Sequence, residues 1–488
     1  YDTTLQTFTF QSLTWDDRLV GDLDSAPAPS FVGQPIKDAG VLNNRFHLIA
    51  GENVVGGEAA NLFNVWPISA TTLSDAEPYD VAGTGDKVSK FEYMAPIRGK
   101  IALFSPTGNT ISELVGDRDA PLTLKNARVE ERGVWANSAV HPVVIDDKIY
   151  FVQDHGGHTA VSQYMQTDVD VFTADEISAH VDDYIPTNPI QMSAGISEKF
   201  VTVISSNDSE RNKVYVYRYF NVGNEQVMAS WSEWEFVADS VVHHIEWSES
   251  IAWIVLEYAD GSVHIEKLDF GKGDEDEGAF TDNLGYRVYL DSLTSVAGIY
   301  SSATGITTWT LPYPQDSMGG TYRIVRGGEW GDKRGSLVTI ADSATDYTIT
   351  ASGDYSDYNV YVGREFTSTY ELSEIVLRGG STANSAKGAR VGGRLQLRRG
   401  RVVYDDTGSF DVVILSREDS DEYRQTFTSQ FLNQAIIGPN SLDSGKFDFG
   451  IGGDSKNVRI VFESNSFLPA GLSLIQWEGR YHARATSA

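Results

Sequence analysis

The chain has 488 residues, no cysteine and a formal net charge of −30. Without cysteine, disulfides, thiolate metal sites and cysteine nucleophiles are excluded, and no apolar run approaches the roughly 18 residues that a membrane helix needs. An acidic chain is a poor conventional DNA binder, because duplex affinity comes largely from Lys and Arg on phosphates, although it could enclose DNA that must slide and not stick.

The opening, with Phe8, Phe10 and Leu13, reads as strand and not as a signal peptide, and the sequence reads as the later part of a longer polypeptide. Strand then follows strand. Ile149-Tyr150-Phe151-Val152, Val214-Tyr215-Val216-Tyr217 and Ile251-Ala252-Trp253-Ile254-Val255-Leu256 are β-branched and aromatic and are bounded by turn residues. Between residues 88 and 270 a loose repeat recurs, in units near Ser89–Leu114, Ser138–Met165, Ile190–Phe236 and Val241–Phe270. Each is a meander of short strands at roughly the 40–50 residue period of propeller blades. One meander exposes an apolar face and cannot stand alone, so blades stack. An irregular sandwich would give similar spacing. Helical periodicity is confined to Ala174–Tyr184, where Ile177, Val181 and Tyr184 share a face and Pro186 stops the run.

Gly271 to Gly278 is Gly-rich and acidic and reads as a linker or exposed loop. Strands such as Thr307–Leu311 and Tyr322–Val325 then suggest a small module over 280–355, and Gly379–Gly393 reads as a loop or hairpin tip before regular strands resume. The expected organisation is all-β with very little helix. It comprises an opening β region (1–87), propeller-like blades (88–270), the small β module (280–355) and a C-terminal β region (356–488). The modules outside the blades are expected to be sandwich-like or barrel-like.

Several segments in order carry a family resemblance. They are Trp15-Asp16-Asp17-Arg18-Leu19-Val20-Gly21-Asp22, Pro29-Ser30-Phe31-Val32-Gly33-Gln34-Pro35, Asn44-Arg45-Phe46-His47-Leu48-Ile49-Ala50-Gly51-Glu52-Asn53, Tyr361-Val362-Gly363, Gly393-Arg394-Leu395-Gln396-Leu397-Arg398-Arg399, Asp406-Thr407-Gly408-Ser409-Phe410 and Trp477-Glu478-Gly479-Arg480-Tyr481. Together they resemble the tail tubular protein B family, the nozzle proteins of short-tailed bacteriophages. The resemblance runs over nearly the whole chain and is weakest over 280–355. It implies a structural virion tail subunit. That subunit would form a homo-hexamer below a dodecameric adaptor (tail tubular A-type) ring. It would line a channel for double-stranded DNA and ejected internal proteins and offer a mounting point for tail fibres. The first region would be platform-like, the blades would lie outside, the 280–355 module would form the tip, and the C-terminal region would return to platform or propeller.

Read residue by residue, the chain suggests no cofactor, metal site or catalytic centre. His155-Gly156-Gly157-His158 lacks a third zinc ligand and reads as a polar hairpin tip. His243 and His244 are neighbours on a strand and point to opposite faces. Asp274-Glu275-Asp276-Glu277 lacks the spacing of a calcium loop. The enzymatic alternative is a receptor-binding or glycan-degrading tail protein, with Glu233 and Glu235 beside Trp231 and Trp234 as the best carboxylate pair. No nucleophile elbow, zincin helix or phosphate loop occurs. The distinctive charge feature is basic. Lys387, Arg390, Arg394, Arg398, Arg399 and Arg401 lie within fifteen residues that contain no acid. Two readings stand. The patch docks onto an acidic neighbouring subunit, or Lys387, Arg390, Arg394 and Arg398 face the DNA channel, repeated as a ring by cyclic symmetry.

Overall fold

The computed structural model describes residues 9, 12, 14–69, 71–85, 87–117, 120–154, 157–168, 171–181, 183–222, 225–271, 284–314, 320–345, 347–377, 393–417, 421–429 and 441–483. Among these the chain is almost wholly antiparallel β-strand. The helical exception is a single short 3-10 turn (Gly328–Lys333), and no sheet closes into a barrel. Two compact units are formed, Tyr1–Gly271 and Lys272–Ala488.

The first unit is five sheets in chain order. The first comprises β1 (Asp38–Leu42), β2 (Arg45–Ala50), β3 (Asn53–Gly56) and β4 (Tyr79–Ala82). The second comprises β5 (Tyr93–Ile97), β6 (Lys100–Ser105), β7 (Thr110–Val115) and β8 (Arg128–Val134). The third comprises β9 (Val143–Ile145), β10 (Lys148–Asp154), β11 (Thr159–Asp168) and β12 (Val171–Glu176). The fourth comprises β13 (Pro189–Gly195), β14 (Phe200–Ser205), β15 (Lys213–Val222) and β16 (Glu225–Glu235). The fifth has three strands, β17 (Val241–Ser248), β18 (Ile251–Glu257) and β19 (Val263–Asp269). Every sheet is a meander whose strand order is its chain order. Tight turns set the register. Asn43 and Asn44 both take positive φ between β1 and β2, as a two-residue hairpin turn demands.

Alternation along each strand makes two apolar faces, and successive sheets bury them against each other. The first strands adjoin in series: β1 with β5, β5 with β9, β9 with β13, and β13 with β17. Ile49, Val54 and Tyr79 meet Ile101, Leu103 and Leu114 between the first and second sheets. Phe104 and Ile111 meet Ile149, Phe151 and Tyr164 at the next junction. Tyr150, Val152 and Val161 meet Val201, Val203 and Tyr217 at the third. Phe200 and Trp234 meet Trp247 and Phe270 at the fourth. Because its sheet is covered on both sides, β2 is buried along nearly its whole length and not on alternate residues.

The helix expected over 174–184 does not form. β12 runs through Glu176, with Ala174 paired to Tyr164. Turns follow, with the Val181 N–H donating to the Ser178 carbonyl and the Tyr184 N–H to the Val181 carbonyl. The helical spacing reflects one-sided burial instead. Ile177 and Tyr184 pack against the core between the third and fourth sheets.

The second unit holds β20 (Asp291–Val296), β21 (Ile299–Ser301), β22 (Ile306–Thr310), β23 (Tyr322–Arg326), β24 (Leu337–Val338), β25 (Asp342–Thr345), β26 (Thr348–Ser352) and β27 (Val360–Arg364). After them come β28 (Ser368–Glu371), β29 (Gly393–Thr407), β30 (Ser409–Ser416), β31 (Glu422–Thr428), β32 (Asp443–Asp454), β33 (Val458–Ser464) and β34 (Gly471–Ala483). Sheets β20-β27-β23-β24 and β21-β22-β26-β25 share a core around Trp309, Ile324, Ile349 and Val362. Sheets β28-β33-β30-β31 and β32-β29-β34 share another, around Leu397, Val402, Phe410, Phe449 and Phe462. A third cluster ties the two sandwiches together, with Leu284, Val288 and Leu290 against Val325, Tyr361, Phe467 and Leu468.

Candidate nucleic-acid interface

The basic segment enters the fold as β29, the central strand between β32 and β34. Leu395, Leu397, Val402 and Tyr404 point into the sandwich core. The alternate residues point out. The inward set changes parity between Leu397 and Val402, and a β-bulge between Leu397 and Arg399 accounts for this. The extra residue re-aims the strand. As a result Arg394, Arg398, Arg399 and Arg401 are all exposed on the outer side, where strict alternation would have sent Arg399 and Arg401 inward.

Strand pairing adds residues that linear reading did not gather. Arg394 lies opposite His482 and Gln396 opposite Arg480 on β34, while Val403 lies opposite Lys446 on β32. Acids are interleaved with these bases. Arg394 Nε is 3.0 Å from Asp454 Oδ2 and Arg399 Nε is 2.6 Å from Glu478 Oε2. Arg401 holds Asp448 with two hydrogen bonds, 2.5 and 2.9 Å long. That guanidinium keeps the Asp448 carboxyl below its ordinary range. Arg398 and Arg480 make no ion pair among the described residues. Among the described residues the face is therefore a part-neutralised basic sheet in which two guanidiniums make no ion pair, and its exposed pairs are individually weak. Lys387 and Arg390 lie outside the described residues, as does Asp274–Glu277.

The other constellations resolve into packing. Trp231 lies 5.1 Å from Tyr217, and its indole N–H donates to the Ile177 carbonyl. Trp234 joins the aromatic junction between the fourth and fifth sheets. The two tryptophans thus serve opposite faces of β16. Glu233 lies 3.8 Å from Lys213, which Glu210 also engages at 3.1 Å. His243 sits at a register irregularity in β17 and meets Glu257 at 2.6 Å. His155 and Gly156 are outside the described residues, and no group of metal-ligating side chains occurs among the described ones. No described helix is long and apolar enough to cross a membrane.

The family model of the bacteriophage nozzle protein matches residues 1–488. The chain belongs to that family. Among curated proteins, this nozzle-family chain is 25% identical over 498 residues to "Tail tubular protein gp12" of Escherichia phage T7, an alignment covering 98% of this chain and 60% of that protein. The chain thus spans well under two thirds of the length of the curated relative it matches. Among solved structures, a quinonprotein alcohol dehydrogenase-like protein from Bacteroides thetaiotaomicron matches at 12% identity and a TM-score of 0.25, over 48% of this chain and 66% of that one. A likeness that low carries no argument.

Proposed function

We propose that this chain is a structural subunit of a phage tail nozzle, located in the virion tail and without enzymatic activity. The carrying observation is the match of the nozzle family over the full 488 residues. The relative's printed name, a tail tubular protein, agrees with it. In this reading copies assemble as a homo-hexamer under an adaptor ring. They offer a mounting point for tail fibres and enclose a channel for DNA and internal proteins during ejection. The serial adjacency of first strands in the first unit supports a propeller-like fan of blades. The part-neutralised arginine face of β29 supports a surface that touches phosphates without gripping them, since affinity grows with the number of phosphates neutralised.

The engagement of Glu233 by Lys213 and the packing of both flanking tryptophans speak against the glycan-degrading alternative. Electron microscopy of tails carrying a tag on this chain tests the proposal. Six-fold rings labelled at the tail are expected. A protein that stays monomeric in intact tails, or that cleaves capsule glycan, would overturn it.

A further inference from the structure

The chain passes from β8 to β9 through residues 135–142, and His141 lies at the end of that passage, just before β9. The backbone beneath it is fixed. The Ala139 N–H donates to the Val152 carbonyl of β10 at 2.7 Å, the Ser138 hydroxyl donates to the Val140 carbonyl at 2.5 Å, and Pro142 is buried. The His141 ring meets an acceptor at each of its nitrogens. Nε2 is 3.0 Å from Asp38 Oδ2, at the start of β1, and Nδ1 is 2.8 Å from the Pro142 carbonyl oxygen. A carboxylate and a carbonyl only accept, and a neutral imidazole donates from one nitrogen alone, so the imidazolium is the form that fills both bonds. Asp38 is held in turn. Its Oδ2 also accepts from the Met94 N–H of β5 at 2.8 Å, and its Oδ1 from the Ala39 N–H at 2.7 Å. The Tyr93 ring of β5 stands edge-on to the imidazole at 5.8 Å, and its hydroxyl donates to the Ala139 carbonyl at 3.4 Å. The first strands of three successive sheets thus meet at one carboxylate and one imidazole.

We propose that Asp38 and His141 form a pH-sensitive clasp, which ties β1, β5 and the entry to β9 together while His141 is charged and loosens when it gives up its proton. The surroundings leave the response to this pair. Burial, then Glu92 and Asp38, raises the Tyr93 hydroxyl above its ordinary value, so it stays neutral in this range. Glu92 is engaged by Lys37 at 3.6 Å. Residues 135–140 and β9 bring no charged side chain. Because the Asp38 hydrogen bond raises His141 above its ordinary value of about 6.5, the clasp is complete below about pH 6.5 and is lost as pH rises through the raised value. This device does not depend on the tail reading.

Histidine-selective NMR of the 488-residue chain tests the charge state, with His141→Gln identifying the His141 signals among the nine histidines. Both ring nitrogens are expected to be protonated at about pH 6, with a midpoint above about 6.5. Hydrogen exchange, corrected for the intrinsic rate at each pH, reads the clasp itself. Protection of peptides over 92–97 and 138–145 should fall about two- to tenfold as pH rises through that midpoint, the range of one net hydrogen bond. A peptide over β18 should not follow. The fall should be absent in His141→Gln, and Asp38→Asn should return the His141 midpoint to about 6.5. Titration of His141 at or below about 6.5, or protection that does not fall, or a fall that persists undiminished in His141→Gln, would each overturn the proposal.

Discussion

Replacing Glu113 by Ala should weaken the first unit strongly, because its carboxylate is buried and engaged by three side chains. Glu113 lies on β7 and is 2% exposed. Its Oε2 accepts from Arg132 Nε at 2.8 Å and from Lys100 Nζ at 3.4 Å. Its Oε1 accepts from the Tyr164 hydroxyl at 3.1 Å, across the junction between the second and third sheets. Arg132 and Lys100 also stand over the Phe172 ring, at 4.7 and 5.3 Å. Removing one partner of a buried pair leaves the other charge uncompensated and costs about 3–5 kcal/mol. Arg132 keeps Glu130 at 2.8 Å, which places the expected loss near the lower end, at about 3 kcal/mol. Burial, reinforced by the Glu113 charge, raises the Tyr164 hydroxyl above its ordinary value. Tyr164→Phe should cost about 1.5–3 kcal/mol, because the buried Glu113 carboxylate loses a hydrogen-bond donor. Urea unfolding followed by hydrogen exchange at β7 and β11 separates this unit from the other, which a single global transition would not. A loss below about 1 kcal/mol for Glu113→Ala, or no coupling between Glu113 and Arg132 in a double-mutant cycle, would refute the reasoning.

Four further outcomes are expected. Burial holds His47 neutral, down to about 4, so the unfolded chain takes up a proton between pH 6.5 and 4 that the folded chain refuses; stability should fall by about 3 kcal/mol across that window, and His47→Gln should flatten the acid limb of a stability–pH curve. His141 behaves oppositely, because Asp38 at 3.0 Å raises it above its ordinary value. Its contribution should be present at mildly acid pH and lost as pH rises through the raised value, a dependence that His141→Gln should abolish and that the same titration would show. Gly56→Ala should cost about 2–3 kcal/mol, since a Cβ there would stand 2.5 Å from the Tyr79 ring, which His47 and Arg45 hold in place; thermal unfolding reads it. Arg398→Glu with Arg480→Glu, and separately Lys387→Glu with Arg390→Glu, should leave tails assembled while changing DNA retention or ejection in a salt-dependent way; failed assembly instead would assign the patch to a neighbouring subunit.

How much was legible follows from what sets each feature. Strand identity was open to reading because a half-buried or buried strand writes its environment as period-two alternation and β-branched runs. The repeat units near 138, 190 and 241 correspond to the third, fourth and fifth sheets for that reason. The segment after Ala174 was misread because one-sided burial of a turn mimics helical spacing. What overrode it was pairing of β12 with β11, a partner that local periodicity does not contain. The basic face was half legible. Four arginines stood out in the sequence, but Arg480, His482 and Lys446 lie on other strands, and the acids that neutralise the patch are 47 to 79 residues away in two of its pairs.

The sequence alone therefore determined the all-β class, the absence of thiol chemistry and the family, because composition, alternation and ordered motifs are properties of the linear chain. Only the tertiary structure decided which faces are charged, paired or bare. The bulge after Leu397 re-aims Arg399 and Arg401 outward. The sheet-on-sheet stack buries Glu113 with Arg132, and it leaves Trp253 and Ile265 uncovered at its end. Each of these depends on register and on which element lies next, and both are fixed by long-range packing.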